Sequence, residues 1–201
     1  MLRILFYCVA AAAIIRSAWL LVGLVRVIPV HLRARTRRWG VSEVLTFLEL
    51  PMFLSLTVLL ILGRIPHPPA TRTSLVLAAV GAPLALAAVA LSIWAIATTV
   101  RQRVILDAGH FVKQEHPLVT DGAYAFVRNP MYLGIILLWF GIAVAYQSAV
   151  LFGLAAVYVV PALCLYIREE ERMMLREFGA PFEEYSRRVG RLLPRLRQRA
   201  V

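Results

Sequence analysis

The stretch Met131 to Ile167, MYLGIILLWFGIAVAYQSAVLFGLAAVYVVPALCLYI, decides the fold. Its 37 mostly apolar residues are too many for one helix across a hydrocarbon core of roughly 30 Å and enough for two shorter ones. Gln147 and Ser148 interrupt the run at its middle, with Gly141 and Gly153 on either side, so the pattern predicts a helical hairpin turning at Ala145-Tyr146-Gln147-Ser148. One long tilted helix is the alternative. Upstream, three further apolar runs lie within Ile4 to Val30, from about Ser42 to Gly63, and from Ser74 to Val100. The first runs too far, without a small-residue cleavage site, to read as a signal peptide. The expectation is an all-α integral membrane protein of about five transmembrane helices, forming a single domain: residues 1–100 as three spans, residues 101–201 as the chemically active region.

Composition points the same way. Of 201 residues 61% are hydrophobic and 16% charged, which excludes an ordinary soluble domain. The 22 Lys and Arg against 11 Asp and Glu give a formal charge of +11, but the apolar runs leave no polar face for nucleic acid. The basic residues mark topology instead. Arg33, Arg35, Arg37 and Arg38 follow the first run, Arg101, Arg103, Lys113 and Arg128 follow the third, and nine arginines lie from Arg168 onward. These are alternate connections, so the positive-inside rule places the amino terminus outside and the carboxyl terminus in the cytoplasm. Cys8 and Cys164 sit in apolar runs, and His31, His67, His110 and His116 are scattered, so no metal centre is expected. Arg16, deep in the first run, calls for a partner, and Glu49 is the acid nearest in depth; a structural pair is preferred to a substrate role.

Polar and turn-forming residues collect in two places on one side of the expected membrane. The loop Arg101 to Pro130 ends in Thr120-Asp121-Gly122-Ala123-Tyr124-Ala125-Phe126-Val127-Arg128-Asn129-Pro130. Asp121-Gly122 signals a turn, and Asn129 before Pro130 reads as N-cap and first helical residue, opening a helix whose free N–H groups face the interface. The second cluster is Arg168-Glu169-Glu170-Glu171-Arg172. It reads either as a site or as a solvated face with pairs such as Glu169 and Arg172. Gly179 and Pro181 should end that helix, and Phe182, Tyr185 and Val189 share one face of an amphipathic segment expected to lie on the membrane surface.

The runs His116-Pro-Leu-Val-Thr-Asp-Gly-Ala-Tyr124, Arg128-Asn-Pro-Met-Tyr-Leu-Gly134, Glu170-Glu171, Phe178-Gly179, Tyr185 and Gly190-Arg-Leu-Leu-Pro194 resemble the isoprenylcysteine carboxyl methyltransferase family, whose signature phospholipid methyltransferases share. The resemblance covers Arg101 to Arg195. It implies an integral-membrane enzyme that uses S-adenosylmethionine to methylate a lipophilic or prenylated acceptor among membrane lipids, most simply the carboxylate of a prenylated cysteine or similar thiol-linked compound. Carried over by motif, the cofactor contacts fall on His116, Pro117, Leu118, Val119, Tyr124, Asn129, Pro130, Met131, Tyr132 and Glu170, with Gln114 as a further polar contact. The cofactor would lie between the cytoplasmic loop and the last helix. Two departures stand out. Asn129 replaces the family's histidine and cannot carry a proton. Tyr166 stands where the family places an acceptor-binding arginine, leaving Arg168 as the nearest cation.

For a carboxylate acceptor, Arg168 or Arg128 would serve as a positive clamp. For an amine, as in a phospholipid or amine N-methyltransferase, Glu170 or Glu171 would take the proton. A membrane reductase using a reduced nicotinamide is the other enzyme class that the carboxyl-terminal arrangement allows.

Overall fold

A computed structural model describes residues 1–33, 40–102 and 117–195, with side chains described for 1–22, 40–102 and 117–195. Gln114, His116, Arg35, Arg37, Arg38, Arg103 and Lys113 lie outside the described residues, as do the side chains of Arg26 and Arg33. The described protein is helical: α1 (Leu2–Arg33), α2 (Val41–Ile61), α3 (Arg72–Arg101), α4 (Pro130–Ala145), α5 (Ala149–Leu154), α6 (Val160–Phe178) and α7 (Ala180–Arg188). A π-helical turn, Ala155–Val159, joins α5 to α6 in one rod. It precedes Pro161, whose missing N–H and bulky ring disrupt the regular hydrogen-bond ladder. Four segments are long and apolar enough to cross a membrane: Leu2–Val22, Val41–Ile61, Arg72–Arg101 and Ala149–Phe178. Four such helices mark a multi-pass membrane protein. The apolar α4 is shorter, at 16 residues.

The hairpin forms where the sequence places it. α4 ends at Ala145, Gln147 adopts a left-handed φ of 52°, and Ser148 caps α5 by accepting the Leu151 N–H at 3.2 Å. The second arm continues past Ile167 through the glutamates to Phe178, where Gly179 turns the chain at φ 57°.

Because side chains facing lipid gain little from burial, close helix contact depends on small residues. Gly81, Ala82, Ala85 and Ala88 of α3 are buried, and α3 packs chiefly on α4. A Cβ at Gly81 would stand 2.5 Å from the Ala145 nitrogen and the Gly141 oxygen, so the backbones touch. Arg16 and Glu49 pair as well, at 2.8 Å, joining α1 to α2 inside the bundle.

Three expectations change. Glu169 accepts a hydrogen bond from Ser42 at the head of α2, so its carboxylate ties α6 to α2 and is more than a solvated face. The apolar face of α7 buries Phe182 and Tyr185 within the protein instead of offering them to the membrane surface. The Tyr185 hydroxyl reaches the Tyr124 carbonyl at 2.8 Å, which fixes the helix against the loop. The third change concerns Asn129, which occupies the N-cap position of α4 without capping it. Its side chain instead donates to Glu171 Oε1 at 3.3 Å and to the Arg191 carbonyl at 3.2 Å.

Candidate active site

The site forms where α4 begins and α6 passes out of its apolar stretch. Successive residues on a helix point about 100° apart, so three adjacent glutamates cannot share a face. Glu169 faces α2, Glu170 faces α4, and Glu171 faces the segments that flank α4 and follow α7.

Glu171 is the anchor of an ionic lock. Its Oε1 accepts Arg128 Nε at 3.0 Å and Nη2 at 2.9 Å, while Oε2 accepts Arg191 Nε at 2.9 Å and Nη2 at 2.5 Å. Arg128 Nη1 also donates to the Ser186 carbonyl at 2.8 Å and the Val189 carbonyl at 2.5 Å. Four of the five N–H groups of Arg128 are therefore used inside the protein. The backbone reinforces the lock: Arg128 N–H donates to Gly190 O at 2.8 Å, and Asn129 N–H to Arg191 O at 3.1 Å. Hydrogen bonding to Glu171 raises the pKa of Arg191 above its ordinary value. Charge and geometry thus make Arg128, Glu171 and Arg191 one tie between the start of α4, α6 and the carboxyl-terminal segment. Arg191 closes this tie and Tyr185 holds α7 to the Tyr124 carbonyl beside it; both fall inside the motifs of the resemblance, which assign neither of them a site role.

Glu170 has a different setting. The Tyr132 hydroxyl faces its carboxylate as a hydrogen-bond donor. Tyr166, one turn back on α6, meets the Tyr132 ring edge to face at a centroid distance of 5.8 Å. Tyr124 completes the set from the 3-10 turn Gly122–Ala125. Burial holds the Tyr124 phenol above its ordinary pKa, with the negative charge of Glu170 and then Tyr185 adding to the effect, so the group stays neutral. Arg128 and Arg191 are turned to Glu171, the neighbouring residue, and not to Glu170. Arg168 is exposed, two residues back and on another face of the helix.

The turn that presents Tyr124 depends on Gly122, whose φ of 56° suits glycine and whose position leaves no room for a Cβ beside Thr98. Asp121 accepts from Gln102 Nε2 at 2.5 Å, fastening the turn to the end of α3. Pro130 is buried as the first residue of α4, with Met131 and Tyr132 half-buried after it. Leu118 and Val119 are half-buried and Pro117 exposed on the approach to this turn. The structure therefore gathers Tyr124, Tyr132 and Glu170 around one point, adds Tyr166, and sets Arg128, Asn129 and Glu171 behind it as support.

Residues 76–181 match the family model of phospholipid methyltransferases. Among curated proteins, methanethiol S-methyltransferase 2 of Bradyrhizobium diazoefficiens is 39% identical over 74 residues, covering 36% of this chain and 27% of that protein. Protein-S-isoprenylcysteine O-methyltransferase of Tribolium castaneum is 33% identical over 106 residues, covering 47% and 36%. Its namesake in Schizosaccharomyces pombe is 31% identical over 81 residues, covering 40% and 34%. The matched stretch spans about a third of the length of these relatives. No solved structure matches the chain.

Proposed function

We propose that this chain, which belongs to the phospholipid methyltransferase family, transfers the methyl group of S-adenosylmethionine to a lipophilic acceptor at the Glu170 end of its helical bundle. The environment of Glu170 carries the reading. A sulfonium is a cation with no proton to donate, so it is held by a nearby carboxylate and by aromatic faces. Glu170 with Tyr132, Tyr124 and Tyr166 offers that combination, and the residues fit the cofactor.

When bound, S-adenosylmethionine supplies a methyl group already activated for transfer. The chain's own task is then to hold both reactants in line and to exclude water. Glu170 and Tyr132 supply the charge and its orientation. Tyr124, Asn129, Pro130 and Met131 line the start of α4, Pro117, Leu118 and Val119 the approach to it, and Gln114 and His116 belong to the same proposed contact set by motif. Arg128 and Glu171 act as positioning residues through their lock, which keeps the first turn of α4 against α6. Arg168 is the cation left to meet an anionic acceptor. The arginine-rich connections support a cytoplasmic location for this end, with the amino terminus outside.

Carboxyl O-methylation of a prenylated cysteine or a similar compound is the first reading of the acceptor, in keeping with the names of the Tribolium and Schizosaccharomyces relatives. Tyr166 favours a second, a lipophilic thiol, the class named for the Bradyrhizobium relative. A carboxylate beside Glu170 would meet a like charge and a phenol, whereas a thiol arrives neutral and can pass its proton to Glu170 as its sulfur is methylated. The experiment supplies membranes containing the protein with radiolabelled S-adenosylmethionine and either farnesylcysteine or decanethiol. Label in a lipid-soluble product, lost in Glu170→Gln, is the expected result; no transfer to either acceptor would contradict the proposal.

A further inference from the structure

Two helical turns from Glu170 the bundle holds a second polar station inside its apolar core. Arg16 Nη2 donates to both Glu49 oxygens at 2.8 Å, and its guanidinium lies 3.9 Å above the centre of the Phe53 ring. Trp139 of α4 donates its Nε1–H to Glu49 Oε1 at 2.7 Å. The Arg16 and Glu49 side chains are 9% and 5% exposed, so bulk water does not reach the polar atoms left unpaired here. Among the described residues two buried side-chain atoms are left so: Arg16 Nη1 and the hydroxyl of Thr46, one turn from Glu49 on the same face of α2.

The register relates this station to the first. On α4, Tyr132 and Trp139 are seven residues apart; on α2, so are Ser42, which meets Glu169, and Glu49. At a rise of 1.5 Å per residue both intervals are about 10 Å. The two stations are therefore stacked along the helix axes. Glu49 already neutralises Arg16, so a second anion would leave net charge in the core, while a neutral oxygen would satisfy the free N–H without that cost.

Resting on the methyl-transfer reading of the Glu170 site, we propose that Arg16 Nη1 and Thr46 mark a recognition point for a neutral, carbonyl-type oxygen on the acceptor, about 10 Å from the atom that is methylated. An intramembrane arginine thereby gains a role beyond its ion pair.

The test places the full chain in lipid nanodiscs with 2-undecanone labelled with carbon-13 at its carbonyl and records the infrared carbonyl band. Binding moves a saturable fraction of the band to lower frequency. Arg16→Lys keeps a cation opposite Glu49 but lacks the second arm, and it weakens this binding at least tenfold; Thr46→Val leaves the ion pair intact and weakens it at least threefold. No shifted band in the parent protein, as a resident water would give, overturns the proposal, and so does a band of unchanged affinity in both variants. Titration of the same parent preparation with S-adenosylhomocysteine separates the two readings. A ketone band without cofactor heat leaves this binding site standing and removes the methyl-transfer reading. In the methylation assay, 10-sulfanyldecan-2-one shows a KM at least threefold below that of decanethiol, and equal values would contradict the link to the acceptor.

Discussion

Arg128 and Glu171, 43 residues apart in sequence, meet through two guanidinium hydrogen bonds of 3.0 and 2.9 Å to a single carboxylate oxygen. The side chains are 9% and 13% exposed, so this pair is closer to a buried ion pair than to a surface one. It leaves the other oxygen of Glu171 for Arg191, and with it the carboxyl-terminal segment closes over the start of α4.

Glu171→Gln should therefore act as a structural lesion. It leaves the Arg128 charge buried without its counter-charge, a loss of about 3 kcal/mol by the usual cost of breaking such pairs. Thermal unfolding in detergent should fall by several degrees, and S-adenosylhomocysteine affinity should fall with it. An unchanged unfolding temperature would show that the lock does not hold the site together.

Gly122→Val tests the turn that carries Tyr124. A side chain there meets both an unfavourable φ of 56° and Thr98, so methyl transfer should drop at least tenfold. Thr98→Ala in the same background should recover part of it by relieving the clash. A fully active Gly122→Val protein would contradict the geometry of the turn.

Close contact between α3 and α4 holds the far half of α4 against its neighbour. A Cβ at Gly141 would stand 2.8 Å from the Ala85 nitrogen, whereas one at Gly153 meets nothing within 4 Å. Gly141→Leu should cost about 3 kcal/mol or more and sharply reduce the yield of folded protein, while Gly153→Leu should be close to neutral in both yield and unfolding temperature. Equal behaviour of the two would refute this packing.

Tyr166→Arg probes acceptor choice. The substitution places a cation one turn from Glu170 on the same face of α6, so KM for a farnesylcysteine carboxylate should fall and KM for decanethiol should rise, each by roughly tenfold. The assay compares the two acceptors in one membrane preparation. An unchanged ratio would remove Tyr166 from the acceptor side.

Much of this architecture is legible in the sequence because hydrophobic length and arginine placement are strong signals. The hairpin turn at Gln147, the Gly179 stop and the Arg16–Glu49 pair are all where local chemistry puts them. What the sequence does not reveal is direction. Periodicity shows that Glu169, Glu170 and Glu171 point three ways, but not which neighbour each one meets. Arg128 and Glu171 read as reacting groups because their partners, Arg191 and the carbonyls of Ser186 and Val189, come from distant segments. Asn129 reads as a helix cap for the same reason, since its bond to Glu171 crosses 42 residues. The amphipathic Phe182–Tyr185 face has one periodicity whether it covers a membrane or a protein, and burial resolves that choice.

The most direct measurement of the central claim is isothermal titration of the purified chain in nanodiscs with S-adenosylhomocysteine, on the parent protein and on Glu170→Gln. Saturable heat in the parent and an affinity loss of roughly tenfold or more in the variant, with its unfolding temperature nearly unchanged, is the predicted result, since a charge-assisted contact contributes about 1.5–3 kcal/mol. Heat with a reduced nicotinamide dinucleotide and none with S-adenosylhomocysteine would contradict it.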